Sequence, residues 1–143
     1  MQRVKEKALS LLSSGTVDRV LGWSAGEFFY DLTPAVFTSV EDAETRFVFS
    51  AFSGANLSKY LIAEARKGGK VAVFLKPCDS YSFVQLLKEH RIARESVYAV
   101  GVPCEGMCDM EKIKAKGISG VTGIEEQGET LRLRTLYGEE TLN

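Results

Sequence analysis

Two apolar runs in this chain end in the same short signal, and that duplication constrains the fold more than any other feature. Val71–Leu75 leads through Lys76 into Pro77-Cys78-Asp79, and residues 97–102 lead into Pro103-Cys104-Glu105. Both runs are rich in β-branched residues, as strands are. Between them, residues 80–90 carry Phe83, Val84, Leu86 and Leu87 at helical spacing. Strand, helix and strand within about thirty residues make a βαβ unit, whose strands are parallel and joined right-handedly. Each Pro-Cys-acid signal then lies at the carboxyl end of a strand, the edge where open α/β sheets hold their ligands. Cys78 and Cys104 are therefore expected on one rim.

At 143 residues the chain is expected to form one α/β domain, residues 1–143. Its architecture is expected to be an open, mainly parallel sheet with flanking helices and a small C-terminal antiparallel β-hairpin over about 118–143. A net charge of −1 and the lack of a Lys/Arg cluster leave no footprint for nucleic acid. No apolar run reaches the ~18–20 residues of a membrane span, and the amino terminus has no signal-peptide core, so a cytoplasmic location is expected. Three cysteines are an odd count, which argues against a disulfide framework and for a reducing compartment. The single histidine, His90, reads as a helix-end residue where positive charge suits the dipole.

The remaining elements follow from periodicity and punctuation. Gln2–Ser13 is an amphipathic helix with Val4, Ala8, Leu11 and Leu12 inward, stopped by Gly15. Residues 17–23 read as a strand, with Gly22 and Gly26 bracketing a loop that holds Trp23. Residues 28–39 read as extended, and Pro34 demotes them to an edge strand or two short strands. Ser39 caps a brief helix with Asp42 completing a loose capping box, and residues 47–49 read as extended. Asn56 starts a helix that Gly68-Gly69 end. A short helix over 110–116 stops at Gly117. Alternation at 131–134 and turns at Gln127-Gly128 and Tyr137-Gly138 give the C-terminal strands.

Candidate chemistry centres on the thiols. Cys78, just before a helix, is placed for thiolate stabilisation by unpaired N–H groups and the dipole. Cys104 and Cys108 are spaced C-x3-C around Gly106, unlike the C-x2-C of zinc ribbons and thioredoxin-like pairs. Three thiolates from two loops suit an iron–sulfur cluster, normally four-cysteine, with Asp79, Asp109 or a partner chain as the fourth ligand. The alternative is that these cysteines are buried space-fillers. Lys76 is either a phosphate-pairing residue or, more ordinarily, a solvated lysine closing a strand. The Ser53-Gly54-Ala55-Asn56 turn offers helix N–H groups to an anion or simply caps the helix. Aromatic residues 28–30, 47, 49 and 52 read as core. No Ser-His-Asp set, Cys-His pair or carboxylate dyad supports hydrolysis.

Along residues 69–73 (Gly-Lys-Val-Ala-Val), at Lys76-Pro77-Cys78-Asp79, and over residues 101–107 with Asp109, the chain resembles the beta subunits of coenzyme F420-reducing hydrogenases and formate dehydrogenases. Residues 56–61 (Asn-Leu-Ser-Lys-Tyr-Leu) and 15–18 extend the resemblance from about residue 12 to the hairpin. It implies an electron-transfer module that holds or contacts an iron–sulfur cluster (of 4Fe–4S type), FAD or both at the Cys78/Cys104 rim. Cys78, Cys104, Cys108, Asp79, Lys76 and Asn56 are the residues expected there, the three cysteines as metal ligands. Partners are expected to be other subunits of a hydrogenase, formate dehydrogenase or heterodisulfide-reductase-like complex. Related proteins continue into cysteine-rich ferredoxin-like and carrier-binding segments. The chain is thus expected to be a short version dependent on partners or a domain of a longer protein. The alternatives are a non-catalytic assembly domain without its own cofactor, and a zinc-binding structural module.

Overall fold

The computed structural model describes residues 2–127 and 129–143. A four-stranded sheet forms its centre, in the order β2 (Leu32–Phe37), β1 (Arg19–Ala25), β3 (Val71–Leu75), β4 (Val97–Gly101). β1, β3 and β4 run parallel, and β2 folds back antiparallel on β1 as the edge strand that Pro34 requires. All five side chains of β3 are buried. Successive strand residues point to opposite faces, so both faces of the sheet are covered at β3. The helices α1 (Gln2–Ser13) and α2 (Val40–Arg46) pack together, and α3 (Ser58–Arg66) packs with α4 (Pro77–Lys88) and on β3. Phe74 of β3 meets Phe47 edge-on at 5.5 Å, and Phe47 meets Phe37 at 5.4 Å, joining the middle of the sheet to its edge. A second, antiparallel sheet of β5 (Val121–Gln127), β6 (Thr130–Thr135) and β7 (Gly138–Leu142) follows the short helix α5 (Met110–Ala115).

Local chemistry explains most boundaries. Gly15 at φ +69° closes α1, and Ser39 Oγ accepts from Asp42 N at 3.1 Å to start α2. Gly68 and Gly69, both left-handed, end α3. Asn56 does not occupy the cap position itself, which Leu57 takes, but its Oδ1 accepts from Ser58 N at 2.9 Å and so still satisfies a first-turn donor.

Several expectations are corrected. The helix expected over 80–90 begins at Pro77, because proline's fixed φ and missing N–H suit the first helical position. Cys78 therefore lies inside the first turn rather than before it. At the other end His90 adopts φ +55°, with His90 N bonded to Leu87 O and Arg91 N to Leu86 O at 3.1 and 3.0 Å. That is a Schellman closure with histidine where glycine is usual, so the backbone sets its place at the helix end. Trp23 is not in a loop: β1 runs through to Ala25 and buries the indole completely. Of residues 28–39 only Leu32–Phe37 is strand. The preceding residues turn, with Gly26 N on Asp31 O at 2.6 Å and Asp31 N on Phe28 O at 2.9 Å. Residues 47–49 contribute only a bridge from Phe47 to Ser24. The turn expected at Gln127-Gly128 falls partly outside the described residues.

Candidate functional site

The carboxyl ends of β3 and β4 lie side by side. Leu75 and Gly101 are register partners, and Val102 N continues the ladder to Leu75 O at 2.9 Å. Each chain end then carries its Pro-Cys-acid signal onto the same rim, and from there the two diverge. After Leu75 the chain winds straight into α4. After Val102 it runs as an irregular loop to Asp109, which accepts from Glu111 N at 2.9 Å and caps α5.

Beneath the first signal sits a buried ion pair. Lys76 is 1% exposed, and its Nζ lies 2.8 Å from Asp79 Oδ2. The ammonium also donates to the carbonyls of Ser53 (3.0 Å) and Ala55 (3.2 Å) and sits 5.0 Å from the centre of the Trp23 ring. Trp23 Nε1 donates to the same Ala55 carbonyl at 3.3 Å. Lys76 is thus neither solvated nor free to reach a phosphate from this position. A buried ammonium has three protons to place, and here a carboxylate and two carbonyls take them. The 53–56 turn correspondingly offers carbonyls inward to a cation rather than N–H groups to an anion. Asn56 Nδ2 donates to Ser82 Oγ at 3.0 Å, tying that turn to α4.

Asp79 is fully engaged. Besides the ammonium it accepts from Lys76 N at 3.4 Å, and the Cys78 thiol donates to its other oxygen at 3.7 Å. The sequence contained the signal for this arrangement: Pro at the first helical position makes Lys76 the cap and puts Asp79 three residues on, at capping-box spacing. Burial of the lysine itself had no such signal. It depends on Trp23 and Ser53, distant in sequence.

The thiols divide into one and two. Cys78 is exposed on the first turn of α4. Cys104 and Cys108 are half-buried and share a cavity of about 700 Å³, between the 103–108 loop, the 49–51 segment, Arg3 and Val4 of α1, and the second sheet. Cys104 Sγ turns toward Gly106 O at 3.7 Å, and Cys108 N is held by Ala51 O at 2.8 Å. Burial raises the Cys108 thiol above its usual range, and the nearby Glu126 carboxylate raises it further. A neighbouring cavity of about 520 Å³ has Phe29, Val48 and Phe52 on one wall and Ile124 to Gln127 on the other. Among the described residues, no three Cys, His, Asp or Glu side chains are gathered as a metal donor set. Cys78 stands on α4, apart from the cavity that Cys104 and Cys108 line, and Asp79 is already bound to Lys76.

No family model matches the chain. Among curated proteins, it is 35% identical over 96 residues to the F420-dependent formate dehydrogenase 1 subunit beta of Methanococcus maripaludis. It is 34% identical over 100 residues to the F420-dependent formate dehydrogenase subunit beta of Methanocaldococcus jannaschii. Each alignment takes in 67% of this chain. Over two thirds of its length the chain is similar to formate dehydrogenase beta subunits. The aligned part spans about a quarter of those proteins, 24% and 25% of their lengths. Among solved structures, a chain of the F420-reducing NiFe hydrogenase complex from Methanosarcina barkeri superposes with a TM-score of 0.68 at 20% identity. That match covers 94% of this chain and 52% of the other, and it shows a shared fold. The resemblance expected from the Pro-Cys-acid signals is borne out. Among the described residues, no helix is long and apolar enough to cross a membrane.

Proposed function

We propose that this chain is the α/β redox module of a beta-type subunit, working within a formate dehydrogenase, hydrogenase or heterodisulfide-reductase-like complex in the cytoplasm. Its part is to carry electrons between a catalytic partner and a soluble acceptor. An iron–sulfur cluster, FAD or both would be held against the carboxyl rim of its sheet, with groups from outside this chain completing the site. The observation that carries this reading is the parallel pairing of β3 with β4, which delivers both Pro-Cys-acid signals to one rim in a relative of those beta subunits. The chain's own contribution is positional. The buried Lys76–Asp79 pair holds the 53–55 carbonyls, Trp23 and the first turn of α4 as one rigid unit. The Cys104/Cys108 loop forms one wall of a solvent-reachable cavity beside it.

Cys78 lies on α4 and does not line the cavity that Cys104 and Cys108 share, which favours a second reading, an assembly domain that binds partner subunits without a cofactor of its own. One experiment separates the two. The full reading frame containing this chain is produced without oxygen together with its neighbouring subunits, and the purified complex is assayed for iron, acid-labile sulfide and flavin. The redox reading expects a coloured complex whose iron falls when Cys104 is changed to serine. A complex that assembles but carries neither iron nor flavin would establish the assembly reading instead, and bound zinc alone would identify a structural metal module.

A further inference from the structure

The 103–108 loop has a property independent of any cofactor. Both of its ends are anchored, by the Val102 N to Leu75 O bond at 2.9 Å and by the Cys108 N to Ala51 O bond at 2.8 Å. Between them, Glu105 and Gly106 are exposed and Met107 is half-buried. Gly106 sits at φ +150°, and a Cβ placed there would meet nothing within 4 Å. The two thiols at the ends of this free span line one cavity, whereas Cys78 stands on another element and donates to Asp79.

We propose that Cys104 and Cys108 close into a reversible disulfide, while Cys78 remains a separate thiol. Closing the ring rearranges the short loop between the Val102 and Cys108 anchors, and the glycine within it supplies conformational freedom. The oxidant is a low-molecular-weight disulfide. The thiolate of one cysteine attacks it, forming a mixed disulfide and releasing one small thiol. The second cysteine then attacks the protein-side sulfur and releases the other small thiol. Two protein thiols thereby lose two electrons and two protons, and the oxidant's S–S bond gains both. The bond would draw the cavity wall together and withdraw two sulfur donors from it. If the redox reading above is correct, the same step decides whether the site can be filled.

The test uses the chain freed of metal by a chelator, reduced, and then exposed to oxidised glutathione. Peptide mapping should find Cys104 joined to Cys108, with glutathione on Cys78 alone. The link should survive in C78S and vanish in both C104S and C108S, and a dithiol reductant should restore all three thiols. A bond between Cys78 and Cys104, or glutathione stably attached to all three cysteines, would overturn the proposal. Neither result bears on whether the anaerobic complex contains iron, so the two readings fail separately.

Discussion

Lys76 shows how much a single residue depends on its surroundings. Its charge is buried with a carboxylate, two carbonyls and an indole face around it. Removing one partner of such a pair leaves the other charge uncompensated, at a cost of about 3–5 kcal/mol, whereas replacing both by apolar groups is often nearly neutral. Lys76→Met should therefore lower stability by that amount in urea unfolding, and Lys76→Met with Asp79→Leu should recover most of it. If the double variant is as unstable as the single, the pair is not energetically coupled. Cys108 offers a second prediction at this scale. With its folded pKa raised above the ordinary 9.0 by burial and Glu126, it should alkylate more slowly than exposed Cys78 near neutral pH. The same shift favours the protonated, folded form. Its contribution to stability is present below the unfolded pKa and is lost as pH rises through the folded one. Rates of iodoacetamide labelling, read cysteine by cysteine, check the order, and equal rates would refute it.

At the level of elements, the central sheet is held by packing that tolerates little change. Gly22 lies on β1 directly under the Phe47 ring, and a Cβ there would collide with Phe47 Cε2. Phe47 is 1% exposed and wedged between Phe37 and Phe74, so it has nowhere to retreat. Gly22→Ala should cost about 1–3 kcal/mol through overpacking, seen as a lower melting temperature, although alanine suits a strand no worse than glycine does. The cap of α2 is a milder case. Ser39→Ala removes the Oγ acceptor for Asp42 N and should cost about 1 kcal/mol, and Ser39→Asp should restore it.

Across the whole molecule, burial is uneven. β3 is buried along its length, while in the second sheet Leu133 is the one fully buried side chain among the described residues. Amide hydrogen exchange should therefore divide the chain. Ala72 to Phe74 should be protected to the limit set by global unfolding, and β5 to β7 should open earlier by local unfolding. Equal protection in both sheets would mean that the second sheet is welded to the first far more firmly than its burial suggests.

Much of this was legible in the residues because it rests on local rules. The strand limits at Val71–Leu75, the extent of α1, the Ser39 cap, the edge position of the Pro34 strand and the C-terminal strands all follow from periodicity, capping and turn chemistry. The shared rim followed too, since a βαβ unit with adjacent parallel strands has little choice about where its strand ends lie. What the sequence could not supply was partnership at a distance. That Lys76 is buried depends on Ser53, Ala55 and Trp23 arriving through a different part of the chain. That Cys78 sits in the first turn of a helix while Cys104 sits in a loop, after the same Pro-Cys-acid signal, was likewise not written in the signal itself. Local propensity acts through neighbours along the backbone, but the environment of a charge or a thiol is set by side chains that only tertiary packing brings near.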